Sequence, residues 1–129
     1  MKYAGIRVTD LPRSLRFYCD GLGLAVEKQG SMSHGGQWAL LHDVETGQRL
    51  ELNFYPPGSP FARPYVAGEG LDHLGFEVDD ARKWHDQLVR AFGAKSAMAP
   101  THEPPDEIVA YVEDPDGNWI EFFSQHKHK

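Results

Sequence analysis

"TGQRLEL" (residues 46–52) and "DGNWIEF" (residues 116–122) are one phrase written twice: a turn glycine, then a strand with a glutamate at its centre. They lie 70 residues apart, and the same offset holds outward from them. Gly5 falls on Gly75, Val8 on Val78, Asp10 on Asp80 and Gly23 on Gly93, while Gly47 meets Gly117 and Glu51 meets Glu121. No gap is needed. Turn glycines and strand carboxylates coinciding at one offset imply two copies of one supersecondary unit.

Each copy reads as βαβββ. The first opens with an alternating strand over Tyr3 to Val8. A helix follows from about Pro12 to Cys19, with Asp10 near its N-cap, Pro12 near its first turn and glycines 21 and 23 stopping it. Strands are expected around 24–29, 37–42 and 49–54. The second copy has a strand at 73–78, then a helix capped by Asp79 or Asp80 that runs through Trp84 and Leu88 to Gly93. Its strands fall around 95–99, 108–113 and 119–124. "YPPGSPFARPYVAGEG" (55–70) is too rich in Pro and Gly for a regular element and reads as a linker. The expectation is one α+β domain over 1–129, with module one at 1–54 and module two at 71–125.

Strand side chains alternate between faces, which sorts these residues into two sets. Ala4, Ile6 and Val8 form the apolar face of the first strand, opposite Tyr3, Gly5 and Arg7. Leu50, Leu52 and Phe54 oppose Glu51 and Asn53. Leu74, Phe76 and Val78 oppose His73, Gly75 and Glu77, and Ile120 and Phe122 oppose Trp119, Glu121 and Phe123. Tyr3, Glu51, His73 and Glu121 therefore share the face turned away from the helices, in pairs at the repeat offset. A lone strand glutamate is ordinarily solvated or ion-paired. Two of them with a histidine, on one face, call for a further reason.

Composition bounds the function. The chain has 129 residues, 40% hydrophobic and 25% charged, with a net charge of −6. That size suits a single domain with a real core. The acidic balance argues against a nucleic-acid partner, because the only basic cluster is the terminal "HKHK", read as a frayed end. No stretch is long enough to span a bilayer, and "MKYAGIRVTD" has no apolar signal core. A single cysteine, Cys19, forms no intramolecular disulfide and fits a reducing compartment, so a cytoplasmic location is expected.

The segments "IRVTDLPRSLRFYCDGLGL" (6–24), "LELNF" (50–54), "LDHLGFEVDD" (71–80) and "VEDPDGNWIEFF" (112–123) resemble the vicinal oxygen chelate superfamily, which includes glyoxalase I, bleomycin-resistance proteins and extradiol dioxygenases. The resemblance spans nearly the whole chain. It implies paired βαβββ modules curled into an incomplete barrel, helices outside, with a divalent metal on the concave face. Carried over position by position, the ligands would be Glu51, His73 and Glu121, with Tyr3 in the fourth place. Glyoxalase I and the dioxygenases have His where this chain has Tyr3. A phenol with pKa near 10 is a poor ligand unless a cation deprotonates it. Tyr3 either lines a pocket or donates to a metal-bound substrate oxygen. One His and two carboxylates suit one divalent ion per site, with Ni, Co, Mn, Fe, Mg and Zn all admissible.

The resemblance also implies a substrate space. Arg7 corresponds to an arginine that helps hold glutathione in glyoxalase I, and its other reading is an ion pair with Glu77 or another sheet carboxylate. Tyr55 stands where glyoxalase I has an asparagine, which weakens the case for glutathione itself. Trp119 shares a face with Glu121. His34, in the loop "SMSHGGQW", is a candidate for the mouth of the site or for the missing ligand, whereas His85, beside Asp86 on a helix, is expected at the surface.

The function implied is a glyoxalase-like lyase or isomerase acting on a small substrate that chelates the metal through neighbouring oxygens. Glu121 or Glu51 would move the proton, with Tyr3 beside the reacting group. Alternatives are an Fe(II) extradiol dioxygenase, a coenzyme A thioester epimerase and a metal-free small-molecule binding protein. A homodimer is expected.

Overall fold

The computed structural model describes residues 1–125, so "HKHK" (126–129) lies outside the described residues. The chain divides into two compact units, with the boundary between Val66 and Ala67, inside the Pro- and Gly-rich segment.

In the first unit, β1 (Ala4–Arg7) leads into α1 (Leu11–Leu15), and β2 (Ala25–Ser31), β3 (Gln37–His42) and β4 (Arg49–Phe54) follow. The sheet order is β1-β4-β3-β2. β1 pairs parallel to β4, and the other pairs are antiparallel. The second unit repeats this with β5 (His73–Glu77), α2 (Ala81–Phe92), β6 (Ser96–Glu103), β7 (Glu107–Glu113) and β8 (Trp119–Gln125), in the order β5-β8-β7-β6. Both units are βαβββ with a mixed sheet, in the α+β class expected from the sequence.

The helix signals act where the sequence puts them. Asp10 accepts from the Arg13 N–H at 3.0 Å, and Asp80 accepts from Arg82 and Lys83 at 3.1 and 3.2 Å. These bonds satisfy amides that the first helical turn leaves unpaired. Gly93 ends α2 in the left-handed region at φ 66°. The first helix differs from expectation in its second half. Residues Arg16–Gly21 widen into a π-helical segment, with the Leu22 N–H donating to the Phe17 carbonyl at 3.0 Å. Phe17, Tyr18, Gly21 and Leu22 are all buried there.

The expected face assignments hold for the buried set. Leu50, Leu52, Ile120 and Phe122 are buried, whereas Glu51 and Glu121, between them in sequence, are only partly so. Phe122 packs against Trp84 of α2 and Phe76 of β5, with ring centroids 5.9 and 6.4 Å away. Ser124, two residues along on the same face, accepts from the Ala81 N–H at 2.9 Å. Since α2 covers the Phe122 face, alternation turns Glu121 to the opposite side.

Two further expectations need correction. β6 does not stop at residue 99 but continues to Glu103 through Pro100. It is an edge strand whose register shifts between Ser96 and Met98 and between Met98 and Thr101. Edges and bulges are where a sheet tolerates proline. His85 is buried rather than at the surface, because it shares the inner stripe of α2 with Ala81 and Leu88. Its Nε2 lies 2.7 Å from the Ser96 hydroxyl and its Nδ1 lies 3.0 Å from Asp86, which ties the helix to β6. No helix among the described residues is long and apolar enough to cross a membrane.

Candidate metal centre

The second unit assembles a polar cluster on its helix-free face. Parallel pairing sets His73 beside Trp119 and Gly75 beside Glu121. Antiparallel pairing sets Tyr111 directly opposite Glu121 and Glu113 opposite Trp119. Directly opposed residues share a face.

The side chains make this register specific. The Tyr111 phenol donates to Oε2 of Glu121 at 3.1 Å. Oε1 turns over β5 into the space that Gly75 leaves open, where an added Cβ would stand 3.2 Å from it. The same oxygen lies 3.7 Å from Nε2 of His73. On the other side of the imidazole, Nδ1 is 2.6 Å from the Asp72 carboxylate. A proton on Nδ1, donated to Asp72, leaves the Nε2 lone pair pointing outward, as in the carboxylate–histidine pairs that orient metal ligands. Tyr111 also packs edge-on to the rings of His73 and Trp119, with centroids 5.7 and 5.9 Å away. Burial first, then the hydrogen bond and charge of Glu121, raise the Tyr111 phenol above its ordinary pKa. It stays a donor at neutral pH.

In that tautomer Nε2 of His73 and Oε1 of Glu121 are two electron-rich atoms facing each other. Their 3.7 Å gap is beyond hydrogen-bond reach. It is within the span of two metal–ligand bonds of about 2.0–2.2 Å each. The pair fits a divalent cation. Among the described residues no group of three or more His, Cys, Asp or Glu side chains converges on one point, and the remaining expected donor, Glu51, belongs to the other unit.

In the first unit, Glu51 is half-buried on β4 beside Gly5. Leu40, not a phenol, stands opposite it. The open position over Gly5 is filled by the Asn53 amide, 3.1 Å from where a Cβ would stand. Tyr3 precedes the first residue of β1 and is 46% exposed, so the ladder does not fix it as it fixes His73.

Arg7 and His34 belong to a second cluster of this unit. The Arg7 guanidinium donates to the Phe61 carbonyl at 2.6 Å and lies 4.5 Å from the centroid of the Tyr55 ring. Within this unit, the partners described for it are thus a carbonyl and a ring. His34 stacks on Tyr55 and meets Phe61 edge-on, with centroids 5.9 and 4.8 Å away. Arg7 also lines a recess of about 180 Å³ with Val8, Phe54, Tyr55, Arg63 and Tyr65. Residues 55–65, read as linker, therefore build part of this unit. Trp119 in the second unit is 49% exposed beside His73.

Sequence reasoning missed Tyr111 and Asp72. Asp72 was open to reading as the acid preceding a candidate ligand. Tyr111 needed the β7–β8 register, which the hairpin "DPDGN" sets. There Asp114 accepts from the N–H groups of Asp116 and Asn118, and Gly117 takes φ 88°.

The pattern of the Glyoxalase/Bleomycin resistance protein/Dioxygenase superfamily matches residues 1–122. A probable lactoylglutathione lyase of Synechocystis is 31% identical, over 96% of this chain and 94% of its own. A lactoylglutathione lyase of Haemophilus influenzae is 28% identical, over 96% and 91%. A catechol-2,3-dioxygenase of Bacillus subtilis is 30% identical over 95% of this chain but only 40% of its own. Among solved structures, a glyoxalase family protein from Bacillus cereus aligns with TM-score 0.81 at 18% identity, over 98% of this chain and 94% of that one. Glyoxalase I from Zea mays aligns with TM-score 0.79 at 23% identity, over 98% and 45%. The chain belongs to the glyoxalase, bleomycin resistance protein and dioxygenase superfamily.

Proposed function

We propose that the protein is a metal-dependent lyase or isomerase of the glyoxalase type, acting on a small substrate with two neighbouring oxygens. The observation that carries this reading is the His73–Glu121 pair, 3.7 Å apart and buttressed on both outer sides by Asp72 and Tyr111. The donor set proposed for one divalent cation is the one the family resemblance implies: His73, Glu121 and Glu51, with Tyr3 in the fourth position. When bound, that cation polarises a substrate carbonyl and makes the neighbouring C–H acidic.

The chain's residues do the rest. His73, fixed by Asp72, keeps its Nε2 lone pair available as a donor. Glu51 and Glu121 supply carboxylates able to remove and return a proton. Trp119 and Tyr3 offer exposed aromatic surface for the substrate's apolar part. Arg7 and His34, beside the recess of the first unit, suit an anionic portion of it. The names of the lactoylglutathione lyase relatives favour a thiol adduct of a 2-oxoaldehyde as the first substrate to try. The dioxygenase relative keeps Fe(II) ring cleavage as a second reading, although one histidine and two carboxylates are not its usual donor set. The assembly proposed is a homodimer in the cytoplasm, and sedimentation at micromolar concentration checks the dimer.

The test begins with metal-stripped protein titrated with Mn, Co, Ni, Fe, Mg and Zn ions. About one ion should bind per site, and His73→Ala and Glu121→Gln should each weaken it by more than the roughly 10–100-fold expected for an outer partner. Unchanged affinity in both variants contradicts the site. Glu121→Asp and Glu51→Asp then separate ligand from base. A base misplaced by about 1 Å costs on the order of 10²-fold in turnover even at saturating metal. A residue that only binds the ion recovers its turnover.

A further inference from the structure

We propose that Tyr111 is a positioning residue for Glu121: its phenol holds Oε2 so that Oε1 is the oxygen presented to His73 and to a divalent cation. The inference rests on the metal reading above and adds to it a residue outside the donor set.

A glutamate side chain has three rotatable bonds, and on an open sheet face it samples many positions. Three features of the second unit restrict it here. Gly75 leaves room over β5 for Oε1. Tyr111, opposite in the ladder, donates to Oε2 at 3.1 Å. The Tyr111 ring is itself lodged edge-on between His73 and Trp119. One carboxylate oxygen is thereby engaged by the protein and the other is aimed at Nε2 of His73. This arrangement favours ligation through a single oxygen.

The first unit provides an internal control, because the same strand pairing there puts Leu40 opposite Glu51. Leucine has nothing to donate. The difference traces to the hairpins: residues 43–48 join β3 to β4, whereas the shorter 114–118 joins β7 to β8. One extra residue in the first hairpin moves the repeat out of step by one across that ladder.

The experiment measures Mn²⁺ affinity by paramagnetic resonance and calorimetry in wild type, Tyr111→Phe, Glu121→Asp and the double variant. Tyr111→Phe keeps the ring contacts and removes only the hydroxyl. Its affinity should fall about 10–100-fold, the range for lost outer partners of metal ligands. The unfolding temperature of the metal-free protein should hardly move. In Glu121→Asp the shortened carboxylate no longer reaches the phenol, so adding Tyr111→Phe should have no further effect. Mn²⁺ bound equally by wild type and Tyr111→Phe overturns the proposal and leaves the metal reading intact. An equal loss from Tyr111→Phe in both backgrounds also overturns it, since the hydroxyl would not be acting through Glu121. If wild type binds no ion, the metal reading fails and this proposal fails with it.

Discussion

Two sheets of identical order treat the same pair of residues differently. Each has a glycine on its first strand beside a glutamate on its fourth, Gly5 with Glu51 and Gly75 with Glu121. In the second unit the space over the glycine receives the carboxylate oxygen itself; in the first it receives the Asn53 amide. Tyr111 and Asp72 then brace Glu121 and His73, while Leu40 faces Glu51 and Tyr3 lies outside the ladder. Duplication preserves the backbone, because burial and turn chemistry act on both copies alike. It leaves the open face free to specialise, because nothing in the core depends on it. The second unit braces Glu121 and His73 with its own side chains, and Leu40 offers Glu51 no such hydrogen bond.

The largest effects should fall where the two units are alike. Leu52 and Phe122 occupy equivalent core positions, and both are fully buried. Leu52→Ala should cost about 2–5 kcal/mol and Phe122→Ala about 3–5 kcal/mol. Urea unfolding measures both. A negligible loss at either position would mean that the unit does not close over that side chain as described.

The shared parts of the fold are also those legible in the sequence. Asp10, Asp80 and Gly93 are local signals whose action needs no distant partner, and they perform as read. The alternation around Glu51 and Glu121 was equally plain, because buried neighbours flank each carboxylate. What escaped depended on geometry between elements. The phenol at position 111 became informative only once a five-residue hairpin had fixed its partner across the ladder. The run of β6 past residue 99 through Pro100 depends on its edge position and bulges, which no local signal gives. The π-helical Arg16–Gly21 answers to packing of adjacent apolar residues that a 3.6-residue period does not anticipate. His85 was within reach, since its spacing from Ala81 and Leu88 is that of one helix face.

A smaller effect sharpens the contrast between the glycines. An alanine Cβ at position 75 would stand 3.2 Å from Oε1 of Glu121, so the carboxylate must give way by a few tenths of an ångström. Gly75→Ala should weaken cation binding by about 3–10-fold, less than loss of an outer partner outright. Gly5→Ala presses on the Asn53 amide instead and should leave binding nearly unchanged. Equal losses at both positions would remove the distinction drawn between the two units. The smallest effect concerns Cys19. Burial, with the adjacent Asp20 second, pushes its thiol above the ordinary value. At pH 8 a thiol reagent should modify it more slowly than an unstructured cysteine peptide. Faster modification would contradict the half-buried placement.

The central claim is that the second unit presents His73, through Nε2, as a metal ligand. Its most direct test is a nitrogen-15 spectrum of the histidine side chains during titration of metal-stripped protein with Zn²⁺. The account predicts that the Nε2 resonance of His73 shifts in proportion to bound metal, while Nδ1 keeps its proton, held by Asp72 at 2.6 Å. The resonances of His34 and His85 should stay where they are. A shift of His34 with His73 unmoved, or loss of the Nδ1 proton of His73 with Nε2 unchanged, would contradict the site described for this chain.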